Sequence, residues 1–243
     1  MAFLVFEGLD GSGKSTLISG LERELVSRQI NSVVTREPGG TELGEEIRQL
    51  LLRTDAQAPV PRAELFLYQA GRAQHVDLVI RPALARGDWV LCDRFYASTS
   101  AFQCGGRGLD RAQVDPLNRL AVGGCEPQLT VLLDLSVEES ARRRAHREQS
   151  SGVQADRFER EKLAFHQRVR DFYLQLAAEA NAAPANSAPV RPPTEGAPSQ
   201  GLSSAPVGRS TSPAWLVLDA ENSSPEQLLQ ALLHELKRRQ WLK

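Results

Sequence analysis

Residues Gly8 to Thr16, "GLDGSGKST", set three glycines ahead of a lysine and two hydroxyl side chains. The run Gly8-Leu9-Asp10-Gly11-Ser12-Gly13-Lys14-Ser15 satisfies the spacing GxxxxGK[ST] in full. Glycines at these positions let successive backbone N–H groups turn inward around phosphate oxygens. A helix starting at the lysine adds its positive end. Lys14 is placed to reach the β and γ phosphates, and the Ser15 hydroxyl is a ligand for Mg²⁺. A tight strand-to-helix turn alone needs the glycines but not Lys14-Ser15. Gly8, Asp10, Gly11, Ser12, Gly13, Lys14, Ser15 and Thr16 therefore read as a binding loop for a nucleoside triphosphate. Asp10 raises a separate question, because a carboxylate inside a phosphate loop needs a partner other than phosphate.

A triphosphate loop does not say where the phosphate goes. An Asn-Lys-x-Asp motif that reads guanine is absent, which argues against a GTPase. A motor or regulatory ATPase would need an arginine finger and a partner surface that the chain does not display. What remains is a small phosphotransferase with a second anionic substrate opposite the loop. Arginines suit that task, since the planar fork grips phosphate oxygens in pairs and stays charged. Arg36 and Arg94 follow apolar runs that read as strands, Arg48 lies on the next helix, and Arg72 lies in "LYQAGR". Asp93, just before Arg94, ends such a run where a P-loop enzyme places the carboxylate that organises Mg²⁺.

The elements that must position these groups follow from patterning. "FLVF" (3–6), "SVVT" (32–35), "WVLCD" (89–93), "LTVLLDLS" (129–136) and "AWLVLDA" (214–220) are short apolar runs of buried-strand type. Helical spacing appears in Leu17, Leu21 and Leu25, in "GEEIRQLLL", and through residues 63–87, with a bend or break near Pro82. It returns at 137–146 and 157–180, and Ser224-Pro225 with Gln227 forms a capping box for a last helix. Strands alternating with helices predict an α/β three-layer P-loop fold, a five-stranded parallel sheet flanked by helices. Residues 180–213 break the pattern, holding 7 of the 14 prolines with many Ala and Ser. This composition predicts a flexible surface insertion inside one domain spanning 1–243.

The chain has 243 residues, 41% hydrophobic, enough to bury a core. A net charge of −1 provides no global field for nucleic acid or membrane. No apolar run approaches the length of a membrane span, and "MAFLVFEG" reads as a strand, not a signal peptide. Cys92, Cys104 and Cys125 lack metal-ligand spacing and are expected to be reduced, in a cytoplasmic protein.

Taken together, "FEGLDGSGKST", "TREPGGT", "GEEIR", "FLYQAGRAQH", "VLCDRF", "STSAFQCGGRG" and "DRFERE" resemble the bacterial-type thymidylate (dTMP) kinases, in order over roughly residues 3–180. The resemblance implies transfer of the γ-phosphate of ATP to dTMP, giving dTDP and ADP in dTTP biosynthesis, with Mg²⁺ as cofactor. It implies that Arg36, Arg48, Arg72 and Arg94 surround the dTMP phosphate, and that Tyr68 stacks on thymine. Gln103 and Thr99 would bond the base edge, and Asp10 would accept a bond from the sugar 3′-hydroxyl. Glu37 would lie close to the same region, beside Pro38 in a cis Glu37–Pro38 peptide. Since Gly11 and Ser12 leave the loop without an arginine, the catalytic cation is expected in a lid at about 142–158. There Arg143 and Arg147 match best, Arg143 also lying against adenine, with Arg157 a third candidate. The family implies a homodimer.

Overall fold

The computed structural model describes residues 1–151, 155–182 and 214–243. Its five strands are β1 (Phe3–Glu7), β2 (Ser32–Arg36), β3 (Trp89–Asp93), β4 (Leu129–Asp134) and β5 (Ala214–Asp219). They form one sheet of order β2-β3-β1-β4-β5, and every neighbouring pair is parallel. The helices between them are α1 (Lys14–Ser27), α2 (Glu42–Leu52), α3 (Pro61–His75), α4 (Arg81–Ala85), α5 (Tyr96–Thr99), α6 (Arg111–Val122), α7 (Val137–Ser151), α8 (Leu163–Ala182) and α9 (Pro225–Arg238).

The alternation of side chains along β1 explains the layers. Leu4 and Phe6 face one way, joining Leu17, Leu21 and Leu25 of α1 and Leu228, Leu232 and Leu236 of α9. Phe3 and Val5 face the other way, against Val76, Ile80, Ala83, Leu84 and Val122. Each such Leu or Phe contributes about 1.5–3 kcal/mol by leaving water. Glu7 continues the Phe3–Val5 face, so the same alternation drives a carboxylate into the interior, where it is 0% exposed. β1 is central, and the strand order reverses around it. The carboxyl ends of β1 and β3 therefore open the crevice where open α/β sheets bind ligands.

Several expectations are refined. The helix through Pro82 is not broken: a π-helical stretch, Val76–Ile80, joins α3 to α4, with Pro82 in the first turn of α4. The widened turn accommodates a residue that lacks an N–H and crowds the preceding turn. A second π-helical stretch, Ser100–Gly106, carries "SAFQCGG". The predicted helix at 157–180 begins only at Leu163, because the Asp156 carboxylate accepts from the backbone of Phe158 (2.8 Å) and Glu159 (2.9 Å) and holds a separate turn. Residues 180–182 of the expected insertion close α8, and 183–213 lie outside the described residues, as do 152–154 of the expected lid. The capping box at Ser224 and Gln227 forms as expected, and Glu37–Pro38 is cis. All three cysteines are free and buried, and burial pushes the thiols of Cys104 and Cys125 up to about 11.

Candidate active site

The phosphate loop starts where β1 ends. Gly8, Gly11 and Gly13 have φ of 135°, 82° and 95°, the left-handed region where glycine alone is unstrained. A Cβ on Gly8 would come within 2.4 Å of the Leu133 carbonyl oxygen, so β4 also requires the glycine. Gly13 is the N-cap of α1, placing Lys14 and Ser15 in its first turn. The Lys14 ammonium folds back onto the carbonyls of Gly8 and Leu9, each at 3.1 Å. Burial, and then the nearby Arg94 charge, lower its pKa. Across the sheet, the Ser15 hydroxyl lies 3.5 Å from Asp93 Oδ2, while the buried Asp93 Oδ1 has no hydrogen-bond partner among the described residues. One hydroxyl and one carboxylate with a spare buried oxygen fit a hard cation that takes its remaining ligands from water and phosphate.

A cavity of about 430 Å³ opens over this loop. On the loop side it is lined by Asp10, Gly11, Gly13, Lys14, Ser15 and Thr16, with Asp93. Gly8 and Ser12 lie beneath, Ser12 being 1% exposed. Arg36, Glu37, Pro38, Arg48, Tyr68, Arg72, Arg94 and Thr99 line the same cavity. Most of the expected acceptor residues thus share one space with the loop.

Their states differ. Arg36 is half exposed and pairs with Glu45 at 2.9 Å, and Arg48 Nη1 donates to the Pro38 carbonyl at 3.1 Å. Arg72 is buried: Nε donates to Glu37 Oε2 (2.8 Å) and Nη2 to Thr99 Oγ1 (2.9 Å). Glu37 also meets His75 Nδ1 at 2.9 Å, and His75 Nε2 meets Thr35 Oγ1 at 2.7 Å. Arg94 Nη2 donates to Asp10 Oδ1 at 2.7 Å, which gives Asp10 its partner in this structure. Burial alone would raise the Asp10 pKa, but Arg94, helped by Lys14, outweighs it and holds the carboxyl well below the usual range. Gln103 does not line the cavity. It is 0% exposed, its amide nitrogen donates to Glu64 Oε2 (3.0 Å), and its Oε1 has no partner among the described residues.

The arginines of the expected lid separate. Arg143 and Arg147 reach the cavity. Arg143 sits against the loop: its Cβ lies 3.2 Å from where a Cβ of Gly11 would be, so the glycine makes room for it. Its guanidinium donates to the Ala220 carbonyl at 3.1 Å and to Glu139 at 2.6 Å. Arg147 pairs with Glu159. Arg157 is turned away, onto Glu64 Oε1 (2.6 Å) and the Leu51 carbonyl (3.0 Å).

Several lining residues had no role in the sequence reading. Phe102 and Phe158 join Tyr68, with Phe158 tilted against Tyr68 at 6.4 Å and edge-on to Phe102 at 5.7 Å. Ser98 lines the cavity, and behind it lie Glu7 and Tyr173. An acidic residue closing an all-apolar strand was the available signal for Glu7. Nothing local marks Tyr173.

A triphosphate loop facing a set of arginines and aromatic rings across one cavity fits a kinase acting on a nucleotide, and comparison with known proteins agrees. A family model described as thymidylate kinase matches residues 6–188. A protein of Bdellovibrio bacteriovorus named thymidylate kinase is 50% identical over 242 residues, covering 100% of this chain and 98% of that protein. Proteins of the same name from Trichlorobacter lovleyi and Geobacter sp. M21 are 52% and 51% identical, over 73% and 72% of this chain and 84% and 79% of their own. The chain belongs to the thymidylate kinase family.

Proposed function

We propose that this protein is a dTMP kinase that transfers the γ-phosphoryl group of ATP to the phosphate of dTMP. The observation that carries this reading is one cavity lined both by the phosphate loop and by Arg36, Arg48, Arg94 and Tyr68. An oxygen of the dTMP phosphate attacks the γ-phosphorus, and the bond to the β–γ bridging oxygen breaks, leaving ADP. The protein aligns the two nucleotides and neutralises charge. Lys14 moves from the loop carbonyls onto the β and γ oxygens. Arg36, Arg48 and Arg94 hold the acceptor phosphate, and Arg147 and Arg143 approach the group in transfer from the lid. Tyr68, Phe102 and Phe158 offer flat apolar walls for the base. Thr99 and Gln103 stand at or just behind its edge. When phosphate takes over Arg94, Asp10 is released to accept from the sugar hydroxyl. Ser15 and Asp93 would hold Mg²⁺, which when bound neutralises the β and γ oxygens.

Among the described residues no helix is long and apolar enough to cross a membrane. A homodimer belongs to the same proposal. Phe66 on α3 and Leu120 on α6, 55% and 79% exposed, lie on two helices that pack together. Light scattering measures it.

The experiment is ³¹P NMR of the protein with ATP, Mg²⁺ and dTMP. Growth of dTDP and ADP together, with little ATP consumed when dTMP is omitted, is the expected result. ATP loss independent of dTMP would sink the proposal.

A further inference from the structure

We propose that Glu7 and Tyr173 are positioning residues for Arg94, and that Glu7 sets the register between the donor loop and the acceptor arginine. The inference rests on the acceptor-phosphate reading of Arg94 given above. Arg94 has φ +69°, a left-handed conformation in which a residue with a Cβ is strained. β1 holds that turn on both sides. The Arg94 N–H donates to the Phe6 carbonyl at 2.9 Å. The next N–H, that of Phe95, donates to Glu7 Oε1 at 2.9 Å, and the Ser98 N–H joins the same oxygen at 3.2 Å. The residue after Glu7 is Gly8, whose carbonyl receives Lys14. One strand end therefore fixes both the start of the phosphate loop and the backbone of Arg94.

The side chain is fixed by the other carboxylate oxygen. Glu7 Oε2 accepts from Ser98 Oγ at 2.6 Å and from Tyr173 Oη at 2.9 Å. Both hydroxyl oxygens in turn accept from Arg94 Nη1, each at 3.2 Å. The guanidinium is thus tethered to a buried carboxylate through two hydroxyls. Its Nη2 edge, now on Asp10, is left for exchange with phosphate. A direct Arg94–Glu7 pair would immobilise the guanidinium and cancel its charge. A hydroxyl relay orients it and keeps its charge facing the cavity. Tyr173 is 1% exposed and on α8, so its ring has a packing role that the hydroxyl does not share. Removing only the hydroxyl separates the two.

The test is a double-mutant cycle of Tyr173→Phe with Arg94→Lys, run with the monophosphate that the wild type turns over fastest. A wrong base assignment would show in that choice and leave the cycle intact. Tyr173→Phe alone is expected to lower kcat/KM for the monophosphate about tenfold, with KM for ATP unchanged. In the Arg94→Lys background it is expected to change kcat/KM less than about twofold. Glu7→Gln, which keeps the shape but replaces one acceptor oxygen with a donor, should behave as Tyr173→Phe does. An equal loss in both Arg94 backgrounds, or no loss from Tyr173→Phe in the wild type, overturns the proposal. Should Glu7→Gln fail to fold, the Tyr173→Phe cycle decides alone.

Discussion

Arg94 and Asp10 share one short ion pair, and each acts differently once it is broken. Arg94 is 14% exposed and lines the cavity, so replacing it removes charge from the place proposed for the acceptor phosphate. Arg94→Ala is expected to lower kcat/KM for dTMP by about 10²-fold or more while the cooperative unfolding transition survives. Steady-state kinetics beside a thermal melt measure both, and near-normal turnover would remove Arg94 from the site. Asp10 carries a pH signature. Its folded pKa lies below its ordinary 3.8, so the ionised group contributes stability that is fully present above that value and lost as pH falls through the folded one. The stability gap between the wild type and Asp10→Asn, present at neutral pH, should therefore begin to narrow below about pH 4 and go on narrowing as the pH falls toward the folded pKa. Urea titrations at stepped pH check this, and a gap of constant size from neutral pH down to the acid limit of folding would mean that it does not come from the ionised Asp10 carboxylate.

At the scale of elements, the buried strands were legible because each is a short apolar run bounded by polar or turn residues. β1 and β3 also placed Gly8 and Arg94 correctly at the sheet's carboxyl edge. The segment after β3 was not legible. "YASTSAFQCGG" has no clean helical period, since it folds as one short α turn running into a π-helical stretch, and that widened turn buries Gln103 against Glu64. Pairs such as Glu7 with Tyr173 depend on which face of α8 meets the sheet, and no local spacing encodes that. The elements also frame the proline-rich stretch. The Trp215 N–H donates to Asn181 Oδ1 at 3.4 Å, so α8 and β5 are side by side where residues 183–213 leave and return. A short linker can close that span at little entropic cost. Deleting residues 184–210 is expected to leave kcat within about twofold of the wild type. A loss of activity with the fold intact, by circular dichroism and kinetics, would give the segment a part in catalysis.

Across the whole molecule, the proposed function divides two duties between β1 and its neighbour β3. β1 leads into the phosphate loop and α1, and β3 leads into Arg94 and, beyond α5, Phe102. The two meet at one cavity, which Tyr68 of α3 and Arg143 and Arg147 of α7 also line. Both sides must act on one pair of nucleotides, so the rate should depend on the acceptor's base as well as its phosphate. The most direct measurement compares kcat/KM for dTMP, dUMP, dCMP and AMP at saturating ATP and Mg²⁺, following ADP release. The account predicts that dTMP is the preferred acceptor. A higher kcat/KM for dCMP or AMP than for dTMP would contradict it.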